Sequence, residues 1–242
     1  MTAAGTRNPD REEKHGKGQG GRTVASRRTV ARGPRPGPEG ARNPFTVFLD
    51  RDGVFNRNPK LAVVRRKGFA WLPGALEAFA RLNRPGIQTC LATNQPFLGT
   101  FTLGLRVRPV NEALRQRLHE AGGRLDRMEA SLAPPWIGAV ARIAPQRIRR
   151  ALRRRKPDPG MLEDAGAAMS VDKSRAVMVG DKVKDAQAAN RYGIPAILLA
   201  TTHSEDHLRQ LAAKRGVAVH AIVPGLPEAV DIILAMAGGP HG

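Results

Sequence analysis

Two carboxylates one residue apart, Asp50 and Asp52, follow the apolar run Phe45-Thr-Val-Phe-Leu49 and precede Gly53. Thr93 and Asn94 follow a second such run, Ile87-Gln-Thr-Cys-Leu-Ala92, and Asp181 follows a third, Ala176-Val-Met-Val-Gly180. Lys156 stands before Pro157, between the last two. Side chains of these types can together process a phosphate ester. Asp50 and Asp181 can share an oxygen-seeking Mg²⁺, which neutralises them and polarises a bound phosphate. A carboxylate beside that ion can attack phosphorus to give an aspartyl phosphate, which water then hydrolyses. Asp52 can protonate the leaving oxygen and afterwards activate the water. Thr93 and Lys156 can bring hydrogen bonds and positive charge to the transferred oxygens.

For that chemistry to assemble, the three runs must be neighbouring strands. Their continuous apolar, β-branched character predicts buried parallel strands, and open α/β sheets bind ligands beyond the carboxyl ends of such strands. Pro73 opens a predicted helix with Leu76, Phe79 and Leu82 at helical spacing, and Pro85-Gly86 ends it, so the first two runs form a βαβ unit. Helices are also predicted over Pro109–Glu120, Leu162–Ala168 and Glu205–Lys214, with a last one from Pro227. Ile194–Leu199 and Val217–Val223 read as further strands. Residues 124–155 show no clear element, and Gln146–Arg155 reads equally as a helix or a solvated loop. The alternation predicts an α/β domain with a doubly wound, mostly parallel sheet over residues 45–242. Residues 1–44, rich in Gly, Pro and Arg, are expected to be a disordered tail.

The formal net charge of +19 over 242 residues allows unspecific nucleic-acid contact through the tail. Few aromatic residues are present for stacking on single strands. Cys90 is the only cysteine, which excludes an internal disulfide and a cysteine-rich zinc site. It lies inside an apolar run and reads as a core residue. No run is long enough to span a membrane, and the expected location is the cytoplasm. His203 and His207 lack a third ligand in the sequence. Asp185 reads as a possible indirect metal ligand or as the residue that orients the Asp181-Lys182 turn.

The order Asp50/Asp52, Thr93, Lys156-Pro157, Gly180-Asp181 resembles the haloacid dehalogenase (HAD) superfamily of phosphatases. Within it, Phe48-Leu-Asp-Arg-Asp-Gly-Val-Phe-Asn56, Leu72-Pro-Gly74, Ala92-Thr-Asn-Gln95, Gly99-Thr-Phe-Thr102, Arg155-Lys-Pro-Asp-Pro-Gly-Met161 and Val179-Gly-Asp-Lys182 through Asp185 are similar to the heptose-bisphosphate phosphatase and histidinol-phosphatase group. The resemblance spans about residues 45–200. It implies a HAD-like Rossmannoid three-layer fold without a large cap, Asp50 as nucleophile and Asp52 as acid/base. It further implies metal binding by Asp50, the Asp52 backbone and Asp181, and substrate contacts from Asn56, Asn94, Arg155 and Lys182. The implied substrate is a sugar phosphate such as D-glycero-D-manno-heptose 1,7-bisphosphate, cleaved at the 7-phosphate. Histidinol phosphate or another small metabolite is the alternative, and a nucleic-acid-binding protein on a phosphatase scaffold is a third reading. Many members of the group carry a cysteine-rich zinc loop. The corresponding stretches here, Ser131–Pro135 and Ala151–Arg155, have no cysteine, so no structural zinc is expected. Pro96-Phe97 also departs from the group's pattern. A monomer is expected.

Overall fold

The computed structural model describes residues 43–57, 69–95, 104–133 and 145–238. Six strands, β1 Phe45–Leu49, β2 Ile87–Asn94, β3 Arg127–Ser131, β4 Ala176–Gly180, β5 Ala196–Leu199 and β6 Ala221–Val223, form one sheet in the order β3-β2-β1-β4-β5-β6. Every adjacent pair is parallel. Leu49 is level with Leu91 on one side and with Val179 on the other, so β1, β2 and β4 end at one edge. The chain winds outward from β1 in one direction and then, from β4, in the other. The crevice where the winding reverses lies beside β1.

Alternation along the strands divides the core into two. Val47, Leu49, Leu91, Val177, Val179 and Ile197 face Phe79 of α1 (Ala75–Ala80), Leu114 of α2 (Gly104–Glu120) and Val230 of α7 (Leu226–Gly238). Phe48, Cys90, Met178 and Leu198 face Met161 of α4 (Gly160–Met169), Ala189 of α5 (Val183–Tyr192) and Leu208 of α6 (Glu205–Lys214). Helices therefore cover both faces, and the three-layer arrangement follows. Among the described residues no helix is long and apolar enough to cross a membrane.

Four elements differ most from those expected. β3 falls in the stretch without a clear element, because its buried positions are Glu129 and Ser131 rather than apolar side chains. Gln146–Arg153 is helical and forms α3. α2 starts at Gly104 and carries Pro109 inside it, so the proline does not mark its first turn. The last strand starts at Ala221, because β5 is only four residues long and offers Val217–Val219 nothing to pair with; only His220 N–H reaches back, to the Ala196 carbonyl at 2.8 Å. Residues 1–42 of the expected tail, the Gly99–Thr102 segment, Pro96-Phe97 and most of the loop after Ser131 lie outside the described residues.

Candidate active site

β1 ends in Asp50, and the chain turns immediately. Gly53 adopts φ 84°, its N–H donates to the Asn56 carbonyl at 2.7 Å, and the loop folds back over the sheet edge. A side chain at Gly53 would overlap the Asp181 carboxylate, so glycine lets the first loop close onto the end of β4. Thr201 and Thr202, just past β5, complete this contact. Thr201 Oγ1 donates to the Gly53 carbonyl and Thr202 Oγ1 to Asp181 Oδ2, each at 2.5 Å.

Asp50, Asp181 and Asp185 gather at this point, each buried, with carboxylate oxygens within 4.8 Å of one another. Lys156 enters from the turn before α4. Its Nζ lies 3.1 Å from Asp50 Oδ1 and 2.7 Å from Asp185 Oδ1, and donates to the Ala92 carbonyl at 2.7 Å. Burial alone would raise the Asp50 pKa, but the charges of Lys156, Lys184 and Lys182 and the Arg51 N–H outweigh it and hold the carboxyl below its ordinary value. Burial alone would lower the Lys156 pKa, and Asp185 and Asp50 reverse that. Asp181 moves the other way: burial, then the charges of Asp185 and Asp50, raise its pKa against Lys182 and Thr202. Lys182 Nζ lies 3.3 Å from Asp181 Oδ2. The three carboxylates offer only oxygen ligands, which suits a hard divalent cation.

Asp52 lies in a second, adjoining cluster. Its Oδ1 accepts from Arg51 Nε and Asn56 Nδ2, and its Oδ2 from Arg51 Nη2 and Gln95 Nε2, at 3.0–3.2 Å. Gln95 Nε2 also donates to Thr93 Oγ1 at 2.9 Å, joining the end of β2 to the same network. Asn56 is fully buried behind Asp52. Asn94 is also buried, under Lys156, with its amide bonded to that residue's backbone. Arg155 Nη1 donates to the Ala133 carbonyl at 2.9 Å, and burial lowers its pKa.

The structure thus brings Asp50, Lys156, Asp181 and Lys182 together and places Asp52, Thr93 and Asn56 beside them. Asp185, left between two roles by its sequence, orients the turn by accepting from Lys182 N–H at 3.1 Å and also anchors Lys156. Arg51, Asn111 and the Thr201-Thr202 pair are site residues that the sequence does not single out. The threonines carried the signal that marks Thr93, hydroxyls directly after an apolar strand; nothing local marked Arg51 or Asn111. A cleft of about 750 Å³ between α3 and α4, lined by Arg149, Arg150, Arg153 and Arg154 with Glu163 and Asp164, contains none of these groups.

Residues 153–229 match the family model described as HAD-hydrolase-like. The D-glycero-beta-D-manno-heptose-1,7-bisphosphate 7-phosphatase of Rhodopseudomonas palustris is 33% identical over 151 residues, 62% of this chain and 79% of the relative. The enzyme of that name from Bordetella bronchiseptica is 30% identical over 175 residues, 72% of this chain and 90% of the relative. The crystal structure of D,D-heptose 1.7-bisphosphate phosphatase from B. bronchiseptica, complexed with magnesium and phosphate, superimposes with a TM-score of 0.63 at 27% identity, covering 79% of this chain and 99% of that one. With its doubly wound parallel sheet and a carboxylate cluster at the ends of β1 and β4, the chain belongs to the HAD superfamily, among the phosphatases related to the heptose-bisphosphate 7-phosphatases.

Proposed function

We propose that this phosphatase hydrolyses a sugar phosphate, D-glycero-D-manno-heptose 1,7-bisphosphate at its 7-phosphate or a close analogue, through an aspartyl phosphate on Asp50. The observation that carries the reading is the Asp50–Lys156–Asp185 arrangement, which keeps a buried carboxylate ionised at the end of the central strand. A nucleophile needs that state. The relatives' names supply the substrate class.

Asp50 Oδ attacks phosphorus as the bond to the sugar oxygen breaks, and Asp52 gives that oxygen its proton. Water then loses a proton to Asp52 and attacks the same phosphorus, the bond to Asp50 breaks, and inorganic phosphate leaves. Lys156 and Thr93 hold the phosphoryl oxygens, with Lys182 and Arg155 as further anion contacts. Asn94 acts through Lys156, and Asn56 through Asp52. Asp50, the Asp52 backbone carbonyl and Asp181 are the residues that would hold Mg²⁺, which when bound offsets the charge of phosphate and carboxylates. A phosphorylated metabolite and a single thiol both fit the cytoplasm.

The test is phosphate release from heptose bisphosphate, histidinol phosphate and other phosphomonoesters, with and without Mg²⁺. Heptose bisphosphate should be turned over fastest and only with Mg²⁺, and Asp50→Asn should remove turnover while the protein stays folded. Undiminished turnover by that variant would overturn the mechanism. A clear preference for histidinol phosphate would overturn the substrate.

A further inference from the structure

Arg51 lies between the two carboxylates of the opening motif, yet its side chain is completely buried. A guanidinium in that position is costly unless its donors are satisfied. Nε and Nη2 reach Oδ1 and Oδ2 of Asp52 at 3.1 and 3.2 Å, so the fork grips both oxygens of the next residue in the chain. Nη2 also donates to Gln95 Oε1 at 2.6 Å, and Nη1 donates to Asn111 Oδ1 at 2.9 Å. Gln95 closes the ring by donating from Nε2 to Asp52 Oδ2 at 3.0 Å.

The supports come from separate parts of the fold: Gln95 follows β2, and Asn111 belongs to α2. A planar fork fixes the plane of a carboxylate as well as its place, which a lysine ammonium cannot do. The Asp52 side chain keeps 14% of its surface exposed, so it is held from behind and open in front. The guanidinium serves Asp52; the Asp50 carboxylate is met instead by the Arg51 backbone N–H at 2.8 Å and by Lys156.

We propose that Arg51, itself fixed by Asn111 and Gln95, is a positioning residue that sets the orientation in which Asp52 exchanges protons with the leaving oxygen and with water. The proposal rests on the reaction inferred above and adds to it a group that never touches substrate. Misorienting an acid/base group hurts most where the leaving group needs a proton. Sugar alkoxide needs one; p-nitrophenolate does not.

The experiment compares kcat/KM for the sugar phosphate with kcat/KM for p-nitrophenyl phosphate in the same preparation of full-length enzyme; kcat/KM reports formation of the aspartyl phosphate, where the two substrates differ, and not its hydrolysis, which they share, and any inactive fraction cancels from the ratio. Since acid/base catalysis contributes about 10²–10⁴-fold, Arg51→Lys should lower sugar-phosphate kcat/KM by about 10–100-fold, with kcat/KM for p-nitrophenyl phosphate changing by less than about threefold. Asn111→Leu, which leaves the guanidinium in place but unties one nitrogen, should shift the ratio in the same direction by a smaller factor, and Asn111→Asp, which restores an acceptor, should bring it back. Equal losses on both substrates, or an unchanged ratio in Arg51→Lys, would overturn the positioning role. A wild-type enzyme without Mg²⁺-dependent sugar-phosphate hydrolysis would instead overturn the functional reading itself.

Discussion

Asn94 and Lys156 hold each other across sixty-two residues of chain: Asn94 Nδ2 donates to the Lys156 carbonyl at 2.9 Å, and Lys156 N–H donates to Asn94 Oδ1 at 3.0 Å. One amide side chain thereby acts as an extra rung between the end of β2 and the turn before α4. It places the backbone from which Lys156 reaches Asp50. Asn94→Leu leaves both backbone groups of Lys156 buried without partners and should cost about 1–3 kcal/mol of stability. Turnover should fall by more than the loss of folded protein explains, which paired thermal melts and kinetics on the folded fraction would measure.

The Asp50–Lys156 pair fixes a pH dependence in the metal-free protein. Asp50 is held below its ordinary pKa of 3.8, so its contribution is full above that value and is lost as pH falls through the lowered one. Lys156 is held above its ordinary 10.5, so its contribution is full below that value and is lost as pH rises through the raised one. Removing the lysine charge while both carboxylates stay buried should cost about 3–5 kcal/mol at neutral pH. Urea titrations of wild type and Lys156→Met across pH, in the presence of a chelator, should show the variant losing both the acid and the alkaline limbs.

Asp181 behaves in the opposite sense. Burial and then the nearby Asp185 and Asp50 charges raise its pKa, so ionising it at neutral pH weighs against the folded state. Asp181→Asn should therefore melt at a higher temperature than wild type without divalent cation, while losing activity. Mg²⁺ at one hundred times its Kd should stabilise wild type by about 2.7 kcal/mol and leave the variant unmoved. A wild-type melting temperature indifferent to Mg²⁺ would contradict the assignment.

Gly53→Ala tests the closure of the first loop onto β4. The positive φ of 84° alone should cost about 1–2 kcal/mol, and the new methyl group would displace the Asp181 carboxylate. The expected result is a folded, destabilised protein in which the Mg²⁺ requirement for half-maximal activity has risen sharply, read by metal titration of turnover.

Cys90 is fully buried in β2, and burial, with Glu129 adding to it, pushes its thiol pKa far up. The native protein should not react with a thiol reagent over minutes and should release one equivalent on denaturation. Rapid native labelling would show that β2 opens far more readily than its packing implies.

The sequence and the fold agree best where a strand is buried on both faces. β1 and β4 are continuous apolar runs, and they end in Asp50 and Asp181, whose position follows directly. β3 escaped because it spends its inward positions on Glu129 and Ser131, and a hydrophobic pattern cannot register buried polar groups such as Glu129, which is paired with Arg127 and Arg154. Pro109 concealed the first turns of α2. For the site, residue type told which groups could do chemistry but not which neighbours restrain them. Asn56 and Asn94 look like ligand contacts in one dimension; only the fold shows their amides turned to Asp52 and to the Lys156 backbone. The burial of Arg51 has no local signature at all, since its partners lie one, forty-four and sixty residues away.

The polar character that hid β3 has a consequence for how copies of the protein meet. Among the described residues β3 hydrogen-bonds only β2, which leaves it at the margin of the sheet. An unpaired margin is a template for a strand from another molecule. Here the strand carries Arg127 and Glu129, joined at 2.6 Å, with Arg154 drawn onto the same carboxylate. A strand arriving from outside would have to strip water from that cluster and part its ion pairs. Concentrated solutions should therefore resist sheet-to-sheet association along this side, and replacing Arg127 and Glu129 with valine would convert the margin into an adhesive one.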